Sequence, residues 1–371
     1  MRIAIDARKL YDFGIGTYVR NLIRELGRDP GGHTYILLCR PEDADRVREH
    51  SPAFEVAVER AGNYSVREQV SVPLSLFRRR VDLFHAPHYV VSPLTTCPFV
   101  VTIHDCIHLR FPQYLPNRAA HAYARAMMGL AARRARKVLT VSEASKADIL
   151  HYLHIPASKV EVIHNALDER IAATPSDEEI ARVRDRFMLT SPFVLYTGNI
   201  KPHKNLERLI EAYARLRRRG GEHIKLVIIG EEMSKYPGLR RLVHRHQLHK
   251  QVRFFGFVPD ETLAALYRLA AVFVFPSLYE GFGLPPLEAM AAGTPVITSN
   301  VSSLPEVVGD AAVLIDPTDS DAIADAMQRV LGDETLRQTL IKRGHTRVKA
   351  FSWERSVGRV RQVYQELGTR G

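Results

Sequence analysis

Two glutamates enclose a glycine-rich turn in the segment Glu280-Gly281-Phe282-Gly283-Leu284-Pro285-Pro286-Leu287-Glu288. The segment follows a strand-like apolar run and begins a helical one, so backbone amides near its glycines can approach a ligand closely. Proline suits a first helical turn, where an N–H group would be unpaired anyway. Either glutamate alone is explained by a loop or by the helix dipole. The whole pattern after a strand predicts an anion site, above all for a diphosphate.

A second segment of this kind is Thr197-Gly198-Asn199-Ile200-Lys201-Pro202-His203-Lys204-Asn205, which also lies between a predicted strand and a predicted helix. Lys204 stands near the helix start, where its ammonium group can neutralise a phosphate as a point charge. Lysines are common in loops, so Lys204 alone does not indicate a phosphate site. The position of the segment between a strand and a helix is what favours one.

A glycine pair, Gly14 and Gly16, follows the first predicted strand and precedes a helix. The pair resembles part of a dinucleotide-binding fingerprint, but Val19 stands where the third glycine belongs. A nicotinamide-dependent enzyme is therefore disfavoured. The turn is still suited to a close approach to a substrate phosphate.

Three histidines stand after apolar runs. His104 ends the run that begins at Val101, and His85 and His88 follow another predicted strand. Because ligands of open α/β sheets sit beyond the carboxyl ends of the strands, we expect these histidines to line a cleft. The alternative for His104 is a structural pairing with Asp105. No histidine has the spacing partners of a metal site, so no metal or other cofactor is predicted.

Apolar runs alternate with helical patterns along almost the whole chain, which predicts parallel α/β architecture. We expect two doubly wound domains, residues 1–170 and 191–352, joined by a linker at 171–190 and facing each other across a deep cleft. A last helix, about 353–371, has no strand after it and is expected to pack back on the first domain. Strands are predicted at residues 3–6, 35–39, 82–85, 99–104, 138–141, 160–163, 193–196, 225–229, 252–255, 272–275, 295–298 and 312–315.

Length and composition are those of a globular protein: 371 residues, 46% hydrophobic and 25% charged. No apolar run approaches the roughly 20 residues of a membrane-spanning helix, the start lacks the features of a secretion signal, and three cysteines provide no disulfide framework, so a cytoplasmic location is expected. The net charge of +11 favours anionic partners. Nucleic acid is disfavoured because no recognised nucleic-acid motif accompanies the basic runs.

The segment 65–80 alternates apolar and basic residues. It is consistent with a helix lying on an anionic membrane near a lipid-linked acceptor, as a peripheral contact on the cytoplasmic face. An ordinary helix packed on the first domain fits the same pattern.

Together these motifs resemble glycosyltransferase family four, whose members have the two-domain GT-B fold. The resemblance covers nearly the whole chain, and its most specific part is the Glu-x7-Glu pattern formed by Glu280 and Glu288. Supporting motifs are Gly198 with Lys204, Gly256-Phe257-Val258, Gly293-Thr294-Pro295-Val296, Val141-Ser142-Glu143 and the turn from Gly14 to Gly16.

The resemblance implies a role for each matching residue. Glu280 would face the donor sugar and His104 would lie beside it, so these two are the candidate catalytic residues. Glu288 would hold the ribose hydroxyl groups, and Lys204 would bind the diphosphate. The other donor-binding residues implied are Gly14, Gly16, Asn199, Gly256, Phe257, Val258, Gly281, Phe282, Gly283 and Leu284.

The family implies retaining, metal-independent transfer of a hexose from a nucleotide-diphosphate sugar to a sugar or lipid-linked acceptor, in polysaccharide or glycolipid synthesis. The first domain would bind the acceptor, with His85 and His88 as candidate contacts. Many members carry an arginine where this chain has Asn199 or His203, so more of the phosphate charge would fall on Lys204.

The stretch 102–112 is most similar to bacterial mannosyltransferases that make surface polysaccharides. GDP-mannose is therefore the first expectation for the donor, and a UDP-hexose is the second. A nucleotide-sugar epimerase and a catalytically silent nucleotide-sugar binding protein are the alternatives that share the fold. Product analysis without acceptor tests for the epimerase, and an assay for sugar transfer tests for the silent binding protein.

Overall fold

A computed structural model describes residues 1–12, 14–231 and 236–368 of the chain. The chain divides into two compact units: unit 1 contains Met1–Asn165 and the segment that begins at Ser352, and unit 2 is Ala166–Phe351. Each unit contains one parallel sheet with helices between its strands. The predicted parallel α/β class is therefore confirmed.

Unit 1 contains a parallel sheet whose seven strands are β1 (Arg2–Asp6), β2 (Thr34–Cys39), β3 (Glu55–Val58), β4 (Leu83–Ala86), β5 (Phe99–Thr102), β6 (Lys137–Thr140) and β7 (Val160–Val162). Their order is β3-β2-β1-β4-β5-β6-β7, so the direction of the winding reverses between β1 and β4. Most strand residues of β1, β2, β4, β5 and β6 are buried on both faces, as expected of a sheet covered by helices.

Strand β3 was not predicted from the sequence. It lies at the edge of the sheet, and only Ala57 of its four residues is buried. An edge strand with one buried side chain has no continuous apolar run, which explains why the pattern did not reveal it.

The helices of this unit begin where polar side chains can accept hydrogen bonds from free backbone N–H groups. Asn117 accepts from the amide of Ala120, and Ser142 accepts from the amide of Ser145. The helices before residue 165 are α1 (Ile15–Arg28), α2 (Ala44–His50), α3 (Glu68–Arg78), α4 (Ile107–Arg110), α5 (Arg118–Arg134) and α6 (Glu143–Leu153).

Unit 2 repeats the same principle with a parallel sheet of six strands, β8 (Phe193–Thr197), β9 (Lys225–Ile229), β10 (Val252–Phe255), β11 (Val272–Phe275), β12 (Val296–Ser299) and β13 (Ala312–Ile315). The order is β10-β9-β8-β11-β12-β13, so its switch point lies between β8 and β11. Its helices are α7 (Glu169–Ala172), α8 (Asp177–Arg186), α9 (Leu206–Arg218), α10 (Pro237–Arg245), α11 (Asp260–Leu269), α12 (Leu284–Ala291), α13 (Leu304–Val308), α14 (Ser320–Gly332) and α15 (Glu334–Val348).

The segment 171–190, predicted to be a linker, contains helix α8 and lies in unit 2. A reciprocal pair of hydrogen bonds between Ser176 and Glu179 caps the start of this helix. Val183 and Phe187 are buried. The sequence signal for α8 is therefore the pair Ser176 and Glu179. The segment around this pair is mostly polar, so it resembles a linker.

The final helix, α16 (Trp353–Gly368), belongs to unit 1 and packs on α1. This confirms the prediction that the chain returns to its first domain; residues 369–371 of the predicted helix lie outside the described residues. Tyr364 forms a hydrogen bond of 2.5 Å with Nδ1 of His85, and Nε2 of His85 lies 2.8 Å from Oγ1 of Thr102. All three side chains are buried, so the bonds tie α16 to strands β4 and β5.

Within the residues that the structure describes, no helix has both the length and the apolar character needed to cross a membrane.

Replacing Tyr364 by Phe should destabilise unit 1 by about 1–2 kcal/mol, because a buried ring nitrogen of His85 loses its hydrogen-bond partner. The only tryptophan, Trp353, is buried in the same helix, so its fluorescence during urea unfolding reports on this loss. Tyr123→Phe, at an exposed tyrosine, is the matched control and should change stability by no more than about 0.5 kcal/mol. Equal urea midpoints for Tyr364→Phe and the unchanged chain would contradict this assignment.

Candidate active site

The two loops predicted to bind phosphate leave the switch point of unit 2. Strands β8 and β11 are neighbours, with Val194 opposite Val272 and Leu195 opposite Phe273. Because the strands are parallel, the loops that follow them emerge at the same edge of the sheet. The backbone N–H of Leu278 donates to the carbonyl oxygen of His203 at 2.7 Å and joins the two loops directly.

An ion pair connects the loops at their side chains. Nζ of Lys204 lies 2.6 Å from Oε1 of Glu280, and the two side chains are only 14% and 12% exposed. The ammonium group also lies 5.3 Å from the centre of the Phe275 ring, within reach of a cation–π interaction. Two residues 76 positions apart in sequence thus form one charged unit at the switch point.

Two serines fix the backbone around Glu280. The hydroxyl group of Ser302 donates to the carbonyl oxygen of Glu280 at 2.5 Å and lies 3.1 Å from its amide nitrogen. Ser303 donates to the carbonyl oxygens of Glu280 and Phe282 at 3.0 and 2.7 Å. Sequence reasoning missed both serines, although they follow strand β12 as Glu280 follows β11. Polar residues after the carboxyl end of a buried strand are the signal that would have found them.

Gly283 lies at the start of α12 and needs to be a glycine for two reasons. Its φ angle is +105°, and a Cβ atom there would lie 2.7 Å from Cδ2 of Leu304. The first turn of α12 contains Pro285 and Pro286, which have no N–H group. The first turn of α12 therefore offers fewer amides to an anion than an ordinary helix start, and the amides of Gly283 and Leu284 precede the two prolines. Phe282 contributes backbone only, because its side chain is buried against Phe351.

Glu288 lies one turn into α12 and ends a short chain of hydrogen bonds. The Tyr267 hydroxyl group donates to Oε2 of Glu288 at 2.8 Å and is itself 2.8 Å from Oγ1 of Thr197. Burial raises the pKa of the Glu288 carboxyl group to about 7; the Tyr267 hydrogen bond opposes this shift, while the charges of Asp260 and Asp168 add to it. This carboxyl group therefore titrates near neutral pH.

Asn199 and the loop that follows strand β10 complete the predicted donor residues of unit 2. Oδ1 of Asn199 is buried and has no hydrogen-bond partner among the described residues, so it is an acceptor that a ligand could satisfy. Gly256 and Phe257 are exposed and Val258 is half-buried. Strand β10 is the edge strand two positions from β8, so this loop emerges on the same side of the sheet.

His104 belongs to unit 1 and is partly buried at the end of β5. Its Nε2 lies 3.1 Å from the carbonyl oxygen of Pro87, so Nε2 carries the proton and Nδ1 is an acceptor in the neutral ring. Burial lowers the pKa of His104 to about 4, with a further contribution from the charge of Lys9. The imidazole is therefore neutral at physiological pH. Asp105, the alternative partner, instead accepts a hydrogen bond from the amide of Ile107.

The structure places His85, a predicted contact for the acceptor, inside the fold. Its side chain is fully buried and both ring nitrogens are used in the tie to helix α16. His88 differs, because it is half-buried and lies beside Tyr64, whose hydroxyl group is 2.8 Å from Nε2. Tyr64 has a φ angle of +64°, which is unusual for a residue with a side chain.

Gly14 and Gly16 are near the switch point of unit 1 and have different reasons to be glycine. Gly14 is exposed, has a φ angle of +67° and lies at the start of α1. A Cβ atom at Gly16 would lie 2.6 Å from the carbonyl oxygen of Leu10, so packing alone explains that glycine. Across residues 1–12, 14–231 and 236–368, no group of three or more His, Cys, Asp or Glu side chains could hold a metal ion.

Two family models match the chain, one on each side of residue 170. The model described as "Glycosyltransferase Family 4" matches residues 14–170, and the model "Glycosyl transferases group 1" matches residues 177–347. The chain is also 35% identical to the O-antigen chain mannosyltransferase B of Escherichia coli, over 77% of this chain and 74% of that protein. This chain is a family-four glycosyltransferase.

Two further relatives of this glycosyltransferase are less similar, and one of them is much longer. The serotype-specific mannosyltransferase WbdA of Escherichia coli is 32% identical over 72% of this chain, which spans only 34% of that protein. The alpha-D-kanosaminyltransferase of Streptomyces kanamyceticus is 27% identical over 76% of this chain and 73% of the relative.

Solved structures confirm the predicted GT-B fold of the glycosyltransferase. Sucrose-phosphate synthase from Thermosynechococcus elongatus superimposes with a TM-score of 0.82 and 25% identity, over 100% of both chains. The Anabaena HepE protein in complex with UDP and glucose has a TM-score of 0.80 and 20% identity, over 99% of this chain and 100% of that one.

In this glycosyltransferase, Glu288→Gln should stabilise the fold at about pH 8 and much less at about pH 5. A carboxyl group whose pKa rises from 4.5 to about 7 on folding has no effect on stability well below pH 4.5 and destabilises the fold increasingly as the pH rises toward 7. Glutamine removes this charge and keeps an acceptor for Tyr267, for a gain of up to about 3 kcal/mol. Urea unfolding at both pH values measures the difference.

Glu222→Gln, at an exposed glutamate of the same unit, is the control and should show no such pH-dependent gain. The same free-energy change for Glu288→Gln at both pH values would contradict the raised pKa.

Proposed function

We propose that this family-four glycosyltransferase transfers a hexose from a nucleotide-diphosphate sugar with retention of configuration. The observation that carries the proposal is the mostly buried ion pair of Lys204 and Glu280 beside the glycine turn that leads into α12. A cation and backbone amides suit a diphosphate, and a carboxylate next to them suits the sugar attached to it. Mannose is the first candidate for the sugar and GDP-mannose for the donor, since two relatives are named mannosyltransferases.

The proposed reaction breaks the bond between the sugar anomeric carbon and the diphosphate oxygen. Negative charge then grows on the departing diphosphate, where Lys204 and the amides of residues 281–284 would stabilise it. The acceptor hydroxyl oxygen would form the new bond on the same face of the oxocarbenium-like sugar. Its proton would pass to the departing phosphate, so that the charges balance and no metal ion is required.

Glu280 and Glu288 have distinct roles in this proposal. Glu280 would accept hydrogen bonds from hydroxyl groups of the donor sugar. Two serines hold the backbone of Glu280 in place at the switch point. Glu288 would accept from the ribose hydroxyl groups, which favours its ionised form. Since its pKa is raised to about 7, donor binding would strengthen as the pH rises through neutrality. A neutral His104 would offer Nδ1 to a sugar hydroxyl group and could not serve as a phosphate-binding cation.

A UDP-hexose is the second candidate donor. The observation in its favour is that the structurally similar HepE protein was solved with UDP and with UDP-glucose. Unit 1 would bind a sugar or lipid-linked acceptor, with His88 and the adjacent Tyr64 as candidate contacts. The three free cysteines suit a reducing cytoplasm, which is the proposed location.

Lys204→Ala should lower kcat for transfer by about a hundredfold or more while the chain stays folded, since it removes the cation that would stabilise the leaving diphosphate. Glu280→Ala should reduce transfer to a similar degree. Lys201→Ala, an exposed lysine in the same loop, is the matched control and should leave the rate near that of the unchanged enzyme.

The rates are measured by release of nucleoside diphosphate from candidate donors, and circular dichroism checks folding. Near-normal transfer by folded Lys204→Ala or Glu280→Ala protein would exclude the proposed site.

A further inference from the structure

An apolar stripe is exposed on helix α3 of unit 1. Val66, just before the helix, is 87% exposed and Phe77 is 74% exposed, and Val70 and Leu74 lie between them at helical spacing. Leu94 is exposed in a neighbouring loop. Six of the twelve exposed large hydrophobic side chains among the described residues lie between positions 64 and 94. This concentration differs from the scattered apolar residues of an ordinary surface.

The stripe belongs to a helix that is firmly seated. Val72 and Leu76 on the opposite face are part of the hydrophobic core of unit 1. Glu68 forms a buried ion pair of 3.0 Å with Arg8. The hydroxyl group of Ser92 donates to the carbonyl oxygen of Gln69 at 2.5 Å, which ties the loop carrying Leu94 to the helix. The helix buries one apolar face in the core, and its second apolar face, the stripe, is therefore left in contact with solvent.

Exposed arginines lie on α3 and at both of its ends. Arg67, Arg78 and Arg80 are exposed, and none has a carboxylate partner among the described residues. The only acidic residue of α3 is Glu68, which points inward to Arg8. The outer face of α3 and its two ends thus combine apolar side chains with three arginines. Beyond the end of the helix, the exposed carboxylate of Asp82 lines the same cavity as Phe77 and Arg80.

We propose that this face of α3, together with Leu94, docks on the surface of an anionic lipid bilayer. Val66 and Phe77 would enter the boundary between headgroups and acyl chains, while the arginines contact lipid phosphates. A second copy of the chain fits less well, because a symmetric contact would bring the same arginines together. Docking by this surface is a property of unit 1 and does not depend on the donor site.

The test measures binding of the full chain to vesicles of phosphatidylglycerol mixed with phosphatidylcholine, at low salt and without donor. The unchanged protein should sediment with these vesicles and not with phosphatidylcholine alone. Combining Val66→Ser with Phe77→Ser should weaken binding at least about tenfold. Combining Arg67→Gln, Arg78→Gln and Arg80→Gln should weaken it at least as much, since each basic residue near an anionic surface contributes about 1 kcal/mol.

Two controls in unit 2 match these variants in chemistry. Arg240→Gln, Arg241→Gln and Arg245→Gln together remove the same charge from another exposed site, and Met188→Ser with Leu314→Ser removes exposed apolar side chains. Both controls should bind vesicles like the unchanged protein. Circular dichroism of every variant checks that it is folded.

Three results would overturn the proposal. One is failure of the unchanged protein to bind anionic vesicles at low salt. Another is equal weakening by the arginine variants of unit 2, which would assign binding to overall charge. The third is a dimer, seen by sedimentation equilibrium, that Phe77→Ser dissociates while vesicle binding is absent; the stripe would then serve a second copy of the chain.

Discussion

The ion pair between Lys204 and Glu280 is the interaction on which the proposed donor site depends. Both side chains are mostly buried, so either charge left alone would be costly, and each holds the other at the switch point. The backbone hydrogen bond from Leu278 to His203 joins the two loops, and two serines hold the backbone of Glu280 and Phe282. These contacts restrict the position of the ion pair further. A diphosphate that binds there would meet a cation already in place, which reduces the reorganisation that binding requires.

Strand order explains why these residues meet. In unit 2 the sheet reverses its winding between β8 and β11, and the two loops that leave this point carry Lys204 and Glu280. In unit 1 the reversal lies between β1 and β4, where the Gly14 turn and His88 follow the strands. Parallel strands deliver their following loops to one edge, so residues far apart in sequence converge without any local motif joining them.

Much of this arrangement could be predicted, because buried strands are continuous apolar runs. Every predicted strand has a counterpart in the structure. Lys204 and Glu280 lie in the polar segments after two of those strands, and His104 ends another predicted strand. The edge strand β3 escaped prediction, since only Ala57 of its residues is buried. Helix α8 escaped as well, because its exposed polar surface resembles a linker.

Contacts between distant segments could not be predicted. His85 lies near the carboxyl end of strand β4, where a ligand-binding residue is expected, yet Tyr364, 279 positions away, uses its ring nitrogen inside the fold. Tyr267 and Ser302 contact the two glutamates of the motif, but neither shows a local signal for that partner. The raised pKa of Glu288 is another such property, since it comes from burial that the sequence around it does not reveal.

The central claim is that unit 2 holds a nucleoside diphosphate through Lys204. Titration calorimetry of GDP and UDP, each against its monophosphate, tests this most directly. For at least one base the diphosphate should bind at least about tenfold more tightly, because a charge-assisted contact to the second phosphate contributes more than about 1.4 kcal/mol. Lys204→Ala should remove this preference. Equal affinities for diphosphate and monophosphate, or a preference that Lys204→Ala leaves intact, would contradict the account.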